Sequence, residues 1–272
     1  MSAEAAERER RFHDAWAREA EAGAIDVRAA FEASTAPENR FIVGTMGELA
    51  GRRLLDVGCG LGESAVYFAG RGAIVTALDL SPGMVELTCE LGRRHGVSID
   101  GIVSSATELD VPEGAFDLAY LGNVLHHVPR DERVRVFEGL RRALRPGGRF
   151  FSWDPISGNP AIDVYRRMAT DVRTVDEEPL TFADVARARA SFPDVKHREF
   201  WILSLALFGK YYLVDRVHPN QDRYWKRILR EPEDRLGWFR ALQSADALLT
   251  RIPGVRRLAW NMVMWGARPA VP

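Results

Sequence analysis

Carboxylates stand at the ends of several apolar runs in this 272-residue chain. Asp56 lies in the run 54–57, Asp79 follows the run 74–78, and Asp154 follows another such run. Short apolar runs of this kind are typical of buried strands. A carboxylate can accept hydrogen bonds from ligand hydroxyls and amines, and can take up a proton. Because the carboxyl ends of parallel strands share one edge of a sheet, we expect these groups at one site.

A glycine-rich turn follows the first run and carries Gly58, Gly60 and Gly62. Glycines let the backbone approach a ligand closely, and the helix predicted after the turn offers unpaired N–H groups. Asp79 comes about 20 residues later, at the distance typical of a ribose ligand. This pattern predicts a nucleoside-cofactor site. On this stretch alone an NAD-dependent dehydrogenase stays open, because residues 60–65 also fit the dinucleotide pattern G-x-G-x-x-A.

Strand and helix patterns alternate along the chain, which predicts a parallel sheet with helices on both faces. The expected strands are 54–57, 74–78, 99–103, 116–121, 149–153, a sixth at 200–208 and a last at 258–266. We expect one domain: an N-terminal helical segment (1–46), a cofactor-binding core (47–155), an acceptor-side segment with a helical cap (156–258), and the last strand (259–268).

Composition excludes several classes of function. The formal net charge is −1, so no general field for nucleic acid is expected. The two cysteines, Cys59 and Cys89, lack metal-ligand spacing, and we predict no metal site. The N-terminal residues do not resemble a signal peptide, and no apolar stretch reaches membrane-spanning length. We therefore expect a cytoplasmic protein.

Five segments together resemble the class I S-adenosylmethionine-dependent methyltransferases. They are the D-x-G-x-G-x-G motif at 56–62, Asp79-Leu80-Ser81 followed by Met84, the stretch 106–117, Asn123 to Val128, and the turn 144–148. The resemblance covers residues 50–155 in the family's order and spacing. It implies a Rossmann-like sheet of seven strands with the last antiparallel, and S-adenosylmethionine as methyl donor.

The resemblance also implies roles for individual residues. Gly58, Cys59 and Gly60 form the loop at the methionine part of the donor, where Asp56 holds the loop or the donor's amine. The backbone of Asn123 lies near the same part.

For the nucleoside end, the resemblance places Asp79 on the ribose hydroxyls, with Leu80 and Met84 beside ribose and adenine. The chain departs from the family at Ser105, where an acid often binds the adenine amino group. A hydroxyl of the segment Ser105-Ala106-Thr107, or its backbone, could make that contact here, more weakly than an acid.

Methyl transfer from a sulfonium needs alignment, and a base only where the acceptor must lose a proton. His126 and His127 follow the fourth strand, and either imidazole could take a proton near neutral pH. Asp154 could orient the acceptor. The competing interpretations are packing for the histidines and a loop cap for Asp154. Tyr165 and His218 are further candidates.

The aromatic residues of the cap predict a small, largely hydrophobic acceptor: a natural-product, isoprenoid or lipid intermediate methylated on O, N or C. A competing interpretation is that these aromatics only attach the cap. Contact of residues 203–212 with a bilayer is a further alternative.

Two other functions remain open from the sequence. One is a protein that binds S-adenosylmethionine but has lost methyl transfer or catalyses a different reaction. The other is an NAD-dependent oxidoreductase.

Overall fold

A seven-stranded sheet forms the centre of the protein in the computed structural model, which describes residues 3–20, 23, 25–170, 174 and 177–270. The strands are β1 (Arg53–Val57), β2 (Ile74–Asp79), β3 (Ile99–Val103), β4 (Phe116–Gly122), β5 (Leu144–Pro155), β6 (Lys196–Phe200) and β7 (Asn261–Ala267). Their order is β3-β2-β1-β4-β5-β7-β6, and only β7 runs antiparallel to its neighbours. The predicted fold class is confirmed, including the reversed last strand.

The helices described are α1 (Ala3–Glu19), α2 (Ala29–Glu32), α3 (Pro37–Met46), α4 (Glu63–Gly70), α5 (Pro82–Arg94), α6 (Arg133–Ala143), α7 (Pro160–Met168), α8 (Phe182–Ser191), α9 (Ala206–Leu213), α10 (Tyr224–Arg227) and α11 (Gly237–Leu249). Among them none is long and apolar enough to cross a membrane.

Apolar cores cover both faces of the sheet, as a parallel sheet requires. Successive residues of β1 alternate between them: Leu54 packs in the cluster that contains Phe68 of α4, and Leu55 in the cluster that contains Phe137 of α6. Both leucines are fully buried. Burial of each contributes about 1.5–3 kcal/mol, and it fixes the register that brings Asp56 to the carboxyl end of β1.

Two helix starts follow the sequence rules. The Ser81 side chain accepts a hydrogen bond from the backbone N–H of Met84, and Pro82 is the first residue of α5. Thr181 and Asp184 form a capping box at the start of α8. The α5 start matters for the site, since it fixes the chain directly after Asp79.

The expected sixth strand at 200–208 is wrong: β6 ends at Phe200, and α9 follows. Trp201 adopts a left-handed backbone conformation (φ 68°), which turns the chain out of the sheet. The Asp246 carboxylate then accepts the backbone N–H groups of residues 202–204 at 2.7–3.2 Å. The apolar run continues as a helix because its buried residues, Leu207 and Tyr211 among them, recur at helical spacing.

The segment between β6 and β7 is helical, but it is not one continuous helical region over 222–251. Short 3₁₀ turns separate α10 from α11, and Pro232 lies between them, where its missing N–H interrupts a helix. Aromatic residues of this cap are buried together, including Trp201, Phe208, Tyr211, Tyr224 and Phe239.

The N-terminal helix α1 packs on α5 at the carboxyl edge of the sheet. Its Asp14 accepts hydrogen bonds from the Ser81 hydroxyl (2.5 Å) and from the Gly83 N–H (3.3 Å). Ala17 packs against Leu61 and the fully buried Met84. The helix therefore covers the end of the sheet where the sequence placed the site.

Candidate functional site

A cavity of about 320 Å³ lies at the carboxyl ends of the strands. Its wall includes the glycine loop after β1, the end of β2, the segment after β3 and the 3₁₀ turn after β4. Helix α1 and residues of the cap close it from outside. This is the edge at which ligands bind in open α/β sheets.

The glycine loop presents open backbone to this cavity. Gly58, Gly60 and Gly62 all have positive φ, at 70°, 51° and 90°. A Cβ on Gly58 would lie 2.5 Å from a methyl group of Val124, so a larger residue is excluded there. A Cβ on Gly60 would meet no described atom within 4 Å, so it would project into space that a ligand could use.

Asp79 connects the loop to the next helix. One carboxylate oxygen accepts the Gly60 N–H at 3.0 Å, and the other accepts the Ser81 N–H at 2.9 Å. Burial raises the pKa of Asp79, against the two N–H groups, which lower it. A carboxylate has about four acceptor positions, so Asp79 keeps capacity for two hydroxyls of a ligand in the cavity.

The segment after β3 supplies hydroxyl groups. Ser105 and Thr107 bond to each other through their hydroxyls at 2.8 Å, and the Thr107 N–H donates to the Ser105 hydroxyl at 3.2 Å. Both residues line the cavity with Ala106 and Leu80. The sequence placed these four residues at one end of the donor, and the structure brings them together.

Cys59, inside the loop, lines the cavity but is inert as a nucleophile. Burial raises the pKa of its thiol well above the usual value. The Thr88 hydroxyl lies 3.3 Å from its sulfur and 3.2 Å from the Gly60 carbonyl.

Three predicted residues lie behind the cavity wall and are fully buried: Asp56, Met84 and Asp154. Asp56 accepts the Ser64 hydroxyl at 2.6 Å, and its other oxygen has no partner among the residues the structure describes. Burial raises the pKa of Asp56 to about 7. Met84 packs under the loop, so it supports the wall rather than forming it.

Asn123 adopts a left-handed conformation (φ 59°), which asparagine tolerates better than most residues. Its N–H donates to the Trp153 carbonyl at 2.8 Å. A ligand therefore meets the carbonyl or the side chain of Asn123 rather than its N–H.

His126 and Asp154 form a buried pair. The imidazole Nδ1 lies 2.8 Å from Asp154 Oδ1, and that oxygen also accepts the His126 backbone N–H at 3.1 Å. Burial lowers the pKa of His126 well below its usual value and raises the pKa of Asp154 to about 7. His126 is thus neutral at physiological pH, and Nδ1 is occupied by the carboxyl group.

His127 has a different partner, on α1. Its Nδ1 lies 2.7 Å from Glu9 Oε1, which also contacts His13 Nε2 at 2.9 Å. Glu9 raises the pKa of His127 against the opposing effect of burial. These three side chains present ligand-type atoms within 4.8 Å of one another, a cluster that the expectation of no metal site did not foresee.

The comparisons with known proteins agree with this geometry. Residues 55–152 match a family described as a methyltransferase domain. A ubiquinone biosynthesis O-methyltransferase of Xanthomonas oryzae is 38% identical over 215 residues, which cover 79% of this chain and 70% of that protein. The chain belongs to the class I S-adenosylmethionine-dependent methyltransferases. Its cofactor is S-adenosylmethionine.

Two further proteins resemble this methyltransferase. A demethylmenaquinone methyltransferase of Paenarthrobacter aurescens is 27% identical over 172 residues, covering 60% of this chain and 65% of that protein. Phosphoethanolamine N-methyltransferase 2 of Haemonchus contortus, solved with phosphomonomethylethanolamine and S-adenosylhomocysteine, gives a TM-score of 0.55 at 16% identity, covering 86% of this chain and 53% of that one. At that identity the likeness concerns the fold.

The structure adds wall residues that the sequence did not single out for the site of this methyltransferase. Glu9, His13 and Trp16 of α1 line the cavity. Glu38 and Asn261 also line it. They stand at the starts of α3 and β7, where no family motif points to them. The candidate base His218 lies outside the cavity wall among the residues described.

Proposed function

We propose that this methyltransferase transfers the methyl group of S-adenosylmethionine to a hydroxyl of a small, largely apolar ring compound, with His126 as proton acceptor. The observation that carries the proposal is the buried His126–Asp154 pair at the cavity wall. An alcohol or phenol must lose its proton as the new bond forms. An acceptor that is already an anion, or a neutral amine, needs no such base.

The imidazole of His126 is neutral and able to accept a proton, but burial lowers its pKa well below the usual value, so the Asp154 carboxylate must stabilise the imidazolium that forms. With Asp154 ionised, Nδ1 of His126 donates to its carboxylate, and the lone pair of Nε2 is left to accept a proton. Because the pKa of Asp154 is raised to about 7, this state dominates above that pH. Asp154 lies behind His126, so we assign it as a positioning residue rather than as one that touches the acceptor.

The donor-side residues orient the cofactor. S-adenosylmethionine supplies an activated methyl group when bound. The open face of Gly60 admits it, Asp79 accepts from its ribose, and the hydroxyls of Ser105 and Thr107 offer hydrogen bonds at the adenine end. Asp56 acts through Ser64, which lines the cavity. These assignments follow from the positions of the residues and are part of the proposal.

The acceptor class follows from the wall opposite the donor residues. The lining includes several aromatic side chains, among them Phe12, Trp16, Trp153 and Trp225. Trp16 meets Trp225 edge to face with 5.9 Å between ring centroids, and the Arg223 guanidinium lies 4.3 Å from the Trp16 ring centre. Such a wall favours a flat, apolar molecule with few polar groups.

The names of the relatives support the same class. The Xanthomonas protein is named for O-methylation in ubiquinone biosynthesis, and the Paenarthrobacter protein for methylation of demethylmenaquinone. Both names concern ring compounds with isoprenoid tails. We therefore propose a hydroxylated aromatic or quinol ring with an apolar substituent as acceptor.

Turnover of methyl-labelled S-adenosylmethionine tests the proposal. The acceptor panel is a short-chain prenylated catechol, its mono-O-methyl and di-O-methyl ethers, and the matching prenylated aniline. We expect label in the catechol and none in the di-O-methyl ether. Transfer to the aniline alone, or to ring carbon of the diether, would contradict the assignment of an oxygen acceptor.

A donor-binding protein without methyl transfer is the competing function. It predicts that S-adenosylhomocysteine binds in a calorimetric titration while no compound of the panel receives label. NAD, titrated in the same way, should give no heat of binding.

A further inference from the structure

Three polar side chains meet in the cavity wall where α3, β6 and β7 come together: Glu38, Asn261 and Trp201. All three are at least 96% buried. Asn261 Nδ2 donates to Glu38 Oε1 at 2.6 Å. None of the residues assigned to the donor or to the proposed base belongs to this cluster.

The cluster is incompletely satisfied. Asn261 Oδ1 is buried and accepts from no described residue. The indole of Trp201 lies close enough to Glu38 to favour its charged form, but its N–H has no partner in hydrogen-bonding geometry within the described part of the chain. Buried polar atoms are hydrogen-bonded in most native proteins, and an exception needs an explanation. Because Asn261 and Trp201 both line the cavity, one unused acceptor and one unused donor stand in the same part of its wall.

The backbone around Trp201 is held in an unusual conformation. A bulky residue rarely adopts a positive φ, and such residues are often found at ligand sites. The fully formed hydrogen bonds of Asp246 to residues 202–204 keep the turn in place. On the other side, the Trp260 N–H donates to the Trp201 carbonyl at 2.9 Å. The indole is thus positioned by the fold rather than by a contact of its own N–H.

We propose that Glu38, Asn261 and Trp201 form a recognition site for a second, neutral hydroxyl group of the acceptor, one that is not methylated. This inference rests on the proposed function in one respect: the ligand of the site is taken to be the acceptor of that reaction. A hydroxyl donates one hydrogen bond, which Asn261 Oδ1 accepts, and accepts another, which the Trp201 N–H donates.

Other ligand groups match the cluster less well. An ether oxygen cannot donate to Asn261. An ammonium group cannot accept from Trp201. A carboxylate would lie beside the Glu38 carboxyl and could not donate. Burial raises the pKa of Glu38 to about 7, so its carboxyl is mostly neutral below that pH, and a neutral ligand group suits that state.

The position of the cluster agrees with a role in orienting the acceptor. Asn261 pairs with Pro155, the residue after Asp154, and the same cavity contains His126. A ring hydroxyl held at Asn261 would fix the direction of the ring, so the hydroxyl to be methylated could be presented to His126.

Ligand-observed NMR titrations on the protein saturated with S-adenosylhomocysteine test this site without turnover. The probes are 4-ethylphenol, ethylbenzene and 4-ethylbenzylamine. The wild type should bind the phenol about tenfold more tightly than ethylbenzene, or about 1.4 kcal/mol, and more tightly than the amine. Equal affinity for phenol and ethylbenzene, or a preference for the amine, would overturn the proposal.

Variants locate the preference. Trp201→Phe removes the indole N–H together with part of the buried ring, and Glu38→Met and Asn261→Leu remove the other polar groups. Each substitution should reduce the preference for phenol to about threefold or less. Glu199→Met is the matched control, since Glu199 is as buried as Glu38 but lies outside the cavity wall. It should keep the preference.

His126→Phe separates this site from the proposed base. If the preference for phenol persists in His126→Phe, the hydroxyl is bound at the cluster. If it disappears there and persists in Trp201→Phe and Asn261→Leu, the cluster is not the recognition site. If no compound of the acceptor panel receives label in the turnover assay, the proposed function is refuted, whereas these binding results remain valid.

Discussion

Replacing Asp154 by Asn tests the proposed base most directly. The substitution keeps the size of the side chain and an oxygen that can accept the His126 backbone N–H, so the fold should persist. It removes the negative charge that faces the imidazole at 2.8 Å. As His126 takes a proton, the imidazolium that forms then has no buried counter-charge.

The magnitude follows from that distance. Two unit charges 2.8 Å apart attract by about 6 kcal/mol at an effective dielectric constant near 20. With the proton half transferred in the transition state, about 3 kcal/mol of this stabilisation is lost, which corresponds to about 10²-fold in rate. The value lies at the lower end of what a general base contributes.

The assay is the initial rate of S-adenosylhomocysteine formation with the best acceptor of the panel, from pH 5.5 to 9. Wild-type kcat/KM should rise with pH and level off above about pH 7, because the pKa of Asp154 is raised to about 7. Asp154→Asn should lower the plateau about 10²-fold and lose this rising limb. The Kd for S-adenosylhomocysteine should stay within twofold.

Ser152→Ala is the control, because Ser152 is fully buried on the same strand and, two residues earlier, on the same face. It should keep the wild-type rate and pH profile. A rate for Asp154→Asn within threefold of wild type, or a loss of rate matched by an equal loss of donor affinity, would refute the role of the pair as base.

Three further predictions concern charged residues around the cavity. Asp79→Ala should weaken binding of S-adenosylhomocysteine at least tenfold by calorimetry, because both the ribose and the Gly60 N–H of the loop lose their acceptor. An unchanged Kd would exclude Asp79 as the ribose ligand. Glu38→Gln should gain stability relative to wild type as pH rises from 5 to 8, on the order of 3 kcal/mol in the free energy of urea unfolding. Burial raises the folded-state pKa of Glu38 to about 7, so the wild type loses stability as pH rises from the unfolded-state pKa to 7. Parallel pH curves for the two proteins would contradict this. Glu9→Gln should speed hydrogen exchange of α1 more at pH 6 than at pH 9. Because the pKa of His127 is raised in the folded protein, its ion pair with Glu9 is fully present below pH 6.5 and is lost as pH rises through the folded-state pKa. An equal effect at both pH values would show that this ion pair does not hold the helix.

The sequence could predict that the residues proposed for the donor lie close together, because the geometry that joins them is local. The glycine loop, Asp79 and the Ser81-Pro82 helix start lie within one strand-turn-helix-strand unit, and their spacing fixes their relation in space. The same holds for His126, which follows β4 directly.

The acceptor half could not be predicted, because its residues come from distant segments. Glu38 and Asn261 are 223 positions apart and meet through a hydrogen bond. The expected strand at 200–208 failed for a related reason. An apolar run is compatible with a strand or a buried helix, and the choice was made by a carboxylate far along the chain, Asp246.

The position of α1 is also set by contacts between residues that are distant in the sequence. Asp14 is bonded to the start of α5, Glu9 to His127, and Trp16 packs on Trp225 of the cap. The Lys226 ammonium, one residue further, donates to Glu63 of the helix after the glycine loop. Helix, cap and loop thus contact one another at the cavity. Helix α1 is held by a few polar contacts and a small apolar cluster, whereas the cap is joined by a large aromatic cluster. The helix is therefore the element that should open at the lower cost in free energy.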